Sequence, residues 1–174
     1  MFAINYLKNS NLRYESMQVI QDKKPVVNHT DMLTEGMKAP AFSGTDQDGN
    51  TISLKDFKGR KLVLYFYPAD DTPTCTIQAC NLRDNYGLLK KEGFEVIGVS
   101  PDEEKSHIKF REKFNLPFPL IADPRHKIIG KFGVWGEKQL YGRKYMGLHR
   151  TTFLIDEKGI IRKIFKKPKL TIRS

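Results

Sequence analysis

Two cysteines, Cys75 and Cys80, are the residues of this sequence best suited to redox chemistry. A cysteine in its thiolate form is a nucleophile at neutral pH and can be oxidised and reduced reversibly. Cys75 follows turn-forming residues at 68–71 and a proline at position 73, so we expect it at the third position of a helix. Backbone N–H groups there lack helical partners and the helix dipole is positive, and both features favour a thiolate. The alternative is a small buried hydrophobic residue, which most free cysteines are.

The spacing of the two cysteines determines whether they can form a disulfide while the helix is intact. Cys80 lies five residues after Cys75 on the same predicted helix. In an intact α-helix this separation places the Cα atoms about 8–9 Å apart, whereas a disulfide needs about 7 Å or less. If the two cysteines pair, the first helical turns must therefore unwind, after Cys75 is oxidised to a sulfenic acid with which Cys80 condenses. The alternative for Cys80 is a buried helix residue without a redox role.

Other residues can assist a thiolate or point to a different chemistry. Thr72 is predicted to be the helix N-cap and can also offer a hydroxyl near the sulfur. A guanidinium would complete such a site, but composition does not identify which one. The sequence has no C-x-x-C pair, and its two cysteines and four histidines lack zinc-site spacing. His149 is the histidine expected nearest the site, with a satisfied or exposed histidine as the alternative.

The elements that would position these residues form an α/β domain with a mixed sheet. Residues 61–67 predict a buried strand and residues 73–91 a helix that stops before Gly93. A strand at 94–100 and a helix at 101–114 follow, so the order is thioredoxin-like in plan. The remaining predictions are a hairpin turn at 46–50, a strand at 118–121 near a sheet edge because of its proline, a short helix at 125–131, a glycine-rich loop at 133–147 and a closing hairpin of strands 151–155 and 160–165.

Length and charge restrict the broad class of protein. The chain has 174 residues and a net charge of +10, which suits one globular domain. We find no apolar run of about 20 residues and no signal-peptide pattern, so a reducing compartment, the cytoplasm, is expected. Residues 1–35 predict a polar, poorly ordered extension ahead of a domain at 36–174. Residues 158–174 carry seven basic and no acidic side chains. We expect this segment either to be a solvated chain terminus or to bind nucleic acid.

Several motifs together resemble one known family. The run Pro68-x-x-x-Thr72-x-x-Cys75 resembles the active-site motif of peroxiredoxins. The wider stretch at 65–84, YFYPADDTPTCTIQACNLRD, is similar to the bacterioferritin-comigratory, or Q-type, subfamily. Segments 36–42, 98–100 and 147–156 are similar to it as well, in order and with ordinary spacing. The resemblance implies a thioredoxin-like fold, with a central mixed β-sheet flanked by helices.

This resemblance also implies an activity and roles for individual residues. The activity would be thiol-dependent reduction of hydrogen peroxide and organic hydroperoxides, with no metal or organic cofactor. By matching positions, Cys75 would be the peroxidatic cysteine and Cys80 the resolving one. Thr72 and Arg150 would hold the thiolate and the peroxide oxygens, and Pro68 would shield the site. Electrons would come from thioredoxin or a similar dithiol protein, and the enzyme would be a monomer that needs neither membrane nor nucleic acid.

Three positions depart from the subfamily pattern. Thr74 stands where glycine is usual, and we expect it to stiffen the turn that must unwind. Gln78 replaces a common glutamate and is expected to alter local hydrogen bonds and the rate. The sequence stops at Ser174, where these proteins continue into a C-terminal helix, so a shortened C-terminus and a partly uncovered sheet face are expected.

Overall fold

A computed structural model describes residues 32–166 of the chain. This part forms nine strands: β1 Ser43–Asp46, β2 Thr51–Ser53, β3 Lys61–Phe66, β4 Phe94–Ser100, β5 Leu120–Ala122, β6 Trp135–Leu140, β7 Arg143–Leu148, β8 Thr151–Ile155 and β9 Ile161–Lys166. It also forms four α-helices, α1 Pro73–Asp84, α2 Tyr86–Lys91, α3 Glu104–Phe114 and α4 Lys127–Lys131, and a 3₁₀ helix at Leu54–Phe57. No helix between residues 32 and 166 has the length and apolar character needed to span a membrane. Most of the predicted N-terminal extension and the last residues of the basic C-terminus, where the shortened terminus was expected, lie outside the described residues.

Seven of the strands form one mixed sheet in the order β2-β1-β5-β4-β3-β8-β9. The central strands β3, β4 and β5 run parallel, and β8 lies antiparallel to β3. Antiparallel pairing adds β9 beyond β8 on one side, and β1 and β2 beyond β5 on the other. The predicted α/β architecture, a mixed sheet flanked by helices, is confirmed.

Strand β3 is the centre of the core because its alternate side chains enter two different hydrophobic clusters. Leu64 packs in one cluster with Phe153, while Tyr65 packs in the other with Cys75 and Phe110. Consecutive parallel strands joined by right-handed crossovers place their connecting helices on one face of the sheet. Helix α1, which carries Cys75, therefore lies on the same face as α3.

The single helix predicted over residues 73–91 is wrong in one respect, because it is broken at Asn85. Helix α1 ends at Asp84 and α2 begins at Tyr86, while Asn85 has φ −105° and ψ 6°. The side-chain amide of Asn85 donates to the carbonyl oxygen of Asn81 at 2.9 Å. Asparagine commonly competes with the helical backbone in this way, and here the competition ends α1.

Strand β5 is internal to the sheet, which corrects the predicted edge position of residues 118–121. It pairs with β4 on one side and with β1 on the other. Pro119 is accommodated because it directly precedes the strand, where its missing N–H is not needed. The N–H of Leu120 bonds instead to the side-chain oxygen of Gln47, at 2.7 Å.

Residues 133–147 form a hairpin where the sequence predicted a glycine-rich loop. Strands β6 and β7 pair antiparallel as a separate two-stranded sheet. Tyr141 and Gly142 both have positive φ, 49° and 77°, as a two-residue type I′ turn requires. Most side chains of the hairpin are exposed, so no apolar alternation marked its strands in the sequence.

Candidate active site

Cys75 lies at the N-terminal end of α1, just beyond the central strand. Tyr67 extends the pairing of β3 by donating its backbone N–H to β4, at 3.1 Å. Thr72 is extended, with φ −87° and ψ 149°, and Pro73 is the first helical residue. Cys75 is therefore the third residue of the helix, as predicted, and it is 1% exposed. Its N–H precedes the hydrogen bond that Thr76 donates to Thr72, so it belongs to the unpaired first turn.

Arg150 provides the guanidinium that completes the site. Its Nη2 atom donates to Cys75 Sγ at 3.1 Å, although the two residues are 75 positions apart. The sheet brings them together, because β8 pairs antiparallel with β3 and places Thr151 opposite Phe66. Arginine stays charged at any pH that proteins tolerate, so this contact stabilises negative charge on the sulfur.

Gln78 binds the second terminal nitrogen of the Arg150 guanidinium. The Nη1 atom of Arg150 donates to Gln78 Oε1, and Gln78 Nε2 donates to Thr152 Oγ1 at 3.3 Å. Gln78 is 7% exposed and lies one helical turn after Cys75. Because its amide is neutral, Gln78 orients the guanidinium without cancelling the positive charge that faces the sulfur. The sequence had marked this position only as a departure from a family pattern.

The loop at residues 68–72 carries the two other predicted site residues. Thr72 occupies the predicted N-cap position, but its side chain does not cap the helix. Its hydroxyl donates to the carbonyl oxygen of Ala69 at 3.1 Å. A hydroxyl has a single proton, so the Thr72 oxygen is left as an acceptor for a further partner. Pro68 is half-buried at the start of the loop, directly after the last residue that bonds to β4.

Cys80 lies on α1 with a partly buried side chain, and both cysteines are free thiols. The helix is continuous from Pro73 to Asp84, so the two cysteines occupy one intact element. Five residues of α-helix keep their Cα atoms about 8 Å apart, beyond the reach of a disulfide. Pairing of these cysteines therefore requires the first turns of α1 to unwind.

A buried polar network borders the site, and sequence reasoning missed it. Asp70 accepts a hydrogen bond from the Tyr67 hydroxyl at 2.7 Å, and its other oxygen lies 2.7 Å from His107 Nδ1. Burial, above all, raises the pKa of Tyr67 well above its ordinary value, with further contributions from Tyr65 and Asp70. Tyr67 therefore stays protonated and donates to Asp70. Spacing on α3 was the available signal, since His107 shares the helix face of Phe110.

His149, the histidine singled out in the sequence, lies against the hairpin. Its backbone N–H donates to the carbonyl oxygen of Val134 at 2.7 Å, and its ring lies against Gly136. A Cβ atom at Gly136 would come within 3.0 Å of the His149 ring. His107 is instead the histidine that bonds to the loop before α1. Within residues 32–166, no group of three or more His, Cys, Asp or Glu side chains is arranged to hold a metal ion.

A small cavity of about 250 Å³ lies beside Arg150. Most of its wall is apolar, with Leu33, Phe132, Phe153 and Ile164 among the lining residues. Arg150 thus has Cys75 on one side and an apolar space on the other.

Comparison with known proteins identifies the family. The model of the AhpC/TSA family matches residues 36–164. Peroxiredoxin Bcp of Escherichia coli is 48% identical over 133 residues, which are 76% of this chain and 85% of that protein.

Solved structures agree with this assignment. A cysteine-to-serine mutant of Xanthomonas campestris peroxiredoxin Q superimposes with a TM-score of 0.71 and 33% identity, covering 74% of this chain and 82% of that one. The bacterioferritin comigratory protein of the same organism, described with its alkyl peroxide reduction activity, gives a TM-score of 0.70 at 32% identity, with the same coverage. The thioredoxin-like fold of these proteins is therefore confirmed for this chain. The chain belongs to the AhpC/TSA family and is a peroxiredoxin, a thiol peroxidase of the bacterioferritin-comigratory or Q type.

Proposed function

We propose that this peroxiredoxin reduces hydrogen peroxide and organic hydroperoxides through Cys75 as the peroxidatic cysteine. The thiolate attacks one peroxide oxygen and the O–O bond breaks. The sulfur is oxidised by two electrons to a sulfenic acid, and the other oxygen leaves as water or an alcohol after taking up a proton. The observation that carries the proposal is the 3.1 Å contact between Arg150 Nη2 and Cys75 Sγ.

Arg150 and Thr72 have complementary tasks in this reaction. Negative charge in the transition state spreads from the sulfur to the leaving oxygen, and the guanidinium fork donates to both. The Thr72 hydroxyl donates its hydrogen bond to the carbonyl oxygen of Ala69, so the Thr72 oxygen accepts a hydrogen bond from the bound peroxide. Pro68, at the start of the same loop, limits the access of water to the sulfur.

Organic hydroperoxides are included among the substrates because of a relative that is 32% identical to this chain. This relative, from Xanthomonas campestris, is described with an alkyl peroxide reduction activity.

Cys80 completes the cycle as the resolving cysteine. After the first turns of α1 unwind, the Cys80 thiol attacks the Cys75 sulfenic acid, a disulfide forms and water leaves. A dithiol reductant of the thioredoxin type then returns both cysteines to thiols. We assign the enzyme to the cytoplasm as a monomer, because the cycle closes within one chain and needs a reducing compartment.

Serine substitutions at the two cysteines test this proposal and act as controls for each other. Cys75→Ser should abolish peroxide consumption in single-turnover and thioredoxin-coupled assays. Cys80→Ser should still consume one equivalent of peroxide and form the sulfenic acid, but it should not turn over with thioredoxin. Peroxide reduction by Cys75→Ser would refute the peroxidatic role, and normal cycling by Cys80→Ser would refute the resolving role.

A further inference from the structure

Asp70 ties the loop before α1 to the protein core. Its two carboxylate oxygens lie 2.7 Å from the Tyr67 hydroxyl and 2.7 Å from His107 Nδ1. Its backbone N–H donates to the carboxylate of Asp102 at 2.8 Å. The Asp70 side chain is only 5% exposed, so these contacts are protected from water. One residue of the loop is thereby fixed from three directions.

The partners of Asp70 are themselves firmly held. Asp102 accepts a hydrogen bond from the Ser100 hydroxyl at 2.8 Å, at the end of β4. The ring of Tyr67 stacks on Tyr65 with centroids 5.3 Å apart. The ring of His107 is fully buried on α3. The anchor therefore belongs to the sheet and to α3, and not to the helix that has to unwind.

The ring of His107 shows that this arrangement is maintained at a cost. Its Nε2 atom is buried without a hydrogen-bond partner among the described residues. Buried nitrogen atoms of this kind are rare in folded proteins because losing water without a replacement partner is unfavourable. In this fold the His107 Nε2 atom stays unpaired among the described residues, while the Nδ1 atom keeps its contact with the Asp70 carboxylate.

Asp71, the next residue, differs from Asp70 in its exposure and in its partner. Its side chain is 47% exposed and pairs with Lys113 on the surface. Its φ of 52° lies in the left-handed region, so the chain turns sharply between the anchored residue and Thr72. The buried side-chain contacts that tie the loop to the core are thus made at Asp70, and Asp71 makes only a surface ion pair before the chain enters α1.

We propose that Asp70, held by Tyr67 and His107, is a positioning residue that marks where unwinding stops and favours the intact arrangement of the site. This inference rests on the proposed function. With the loop anchored, Thr72 and Cys75 return to Arg150 after each cycle, and Cys75 meets peroxide in the intact site. The same anchor opposes unwinding and so slows the attack of Cys80.

The anchor also affects a competing oxidation. While the site is intact, a second peroxide molecule can oxidise the sulfenic acid to a sulfinic acid, with its O–O bond broken and an alcohol or water released. Loss of the anchor should therefore slow sulfenic acid formation, speed disulfide formation and lower the sulfinic fraction at high peroxide. A substitution that merely destabilised the fold would not move the first two rates in opposite directions.

Asp70→Asn tests the proposal with Asp71→Asn as its matched control, the same change one residue along. Rapid mixing with hydrogen peroxide gives both rates, and mass spectrometry gives the sulfinic fraction. We expect Asp70→Asn to lower the rate of sulfenic acid formation about tenfold and to raise the rate of disulfide formation several-fold. Asp71→Asn should stay within about twofold of the wild type in both rates, since it alters only an exposed ion pair.

Tyr67→Phe removes one hydroxyl from the anchor and keeps the ring. It should shift both rates in the same senses as Asp70→Asn, by a smaller factor, and it decides the question if Asp70→Asn does not fold. Equal or parallel changes of the two rates would overturn the proposal. If the wild type forms the Cys75–Cys80 disulfide but the variants change neither rate, the role given to Asp70 is refuted and the proposed function is not. Absence of that disulfide in the wild type would refute the resolving role of Cys80 in the proposed function as well.

Discussion

Cys75 is held between two parts of the molecule that differ in how firmly they are built. On the sheet side, β8 pairs with β3 along its whole length, and all five of its residues are buried. On the helix side, the first two turns of α1 leave Pro73, Thr74 and Ile77 exposed. The sheet side presents the charge of Arg150, and the helix side presents the sulfur.

This difference indicates which part moves during a catalytic cycle. In the proposed cycle, unwinding of α1 would separate Cys75 and Gln78 from Arg150 but would leave the pairing of β3 with β8 intact. The guanidinium of Arg150 would therefore keep its position while the Cys75 sulfur moves away and returns. The predictions below test first the fixed side, then the contact between the two sides, then the moving side.

The largest effect is expected on the fixed side, at Arg150. Arg150→Met should slow sulfenic acid formation about 10²- to 10³-fold, because the charge facing the sulfur and the leaving oxygen is lost. Arg150→Lys should recover only part of this rate, since a point charge does not replace the fork that binds Cys75 and Gln78 together. Arg143→Met, on the exposed part of β7, is the control and should leave the rate unchanged. A loss below threefold in Arg150→Met would contradict the role given to this arginine.

A smaller effect is expected at the contact between the two sides. Gln78→Glu keeps an oxygen for Arg150 but adds a negative charge that competes with the sulfur for the guanidinium. Peroxide should react about five- to tenfold more slowly at neutral pH, measured by rapid mixing. Asn81→Asp makes the same amide-to-carboxylate change three residues further along α1 and should have little effect. A faster Gln78→Glu enzyme would show that the neutral amide does not preserve the charge at the sulfur.

The smallest effect is expected on the moving side, at the exposed Thr74. Thr74→Gly should speed disulfide formation about twofold, because glycine is the poorer helix former, and Thr74→Ala should slow it about threefold. Both rates are measured after a single pulse of peroxide, with sulfenic acid formation as the internal reference. If the two substitutions shift the rate in the same direction, unwinding of the first turn does not limit resolution.

Local rules were enough to place Cys75, because its position depends on a buried strand, a short turn and Pro73. Arg150 could not be found in this way. It reaches Cys75 through the register of β8 on β3, which no local pattern specifies, and only a family resemblance pointed to it. The loss of helix at Asn85 depends likewise on one side-chain bond to Asn81 that composition does not reveal.

Two parts of the structure escaped prediction because their signals are non-local or weak. Most side chains of the hairpin of β6 and β7 are exposed, so its strands lack the alternation by which strands are recognised. The link between Asp70 and His107 joins a turn to a helix 37 residues later, and each residue alone suits an ordinary turn or helix position. Only the packing of α3 beside α1 on one sheet face brings them together.

Amide hydrogen exchange, compared between the reduced protein and its Cys75–Cys80 disulfide form, tests the central claim most directly. We expect the amides of α1 from Thr74 to Cys80 to lose protection in the disulfide form, while those of β3 and β8 keep theirs. Asp70 and its neighbours in β4 should mark the limit of the change. A disulfide form in which α1 stays protected, or in which β8 opens as well, would contradict a fixed sheet side and a moving helix side.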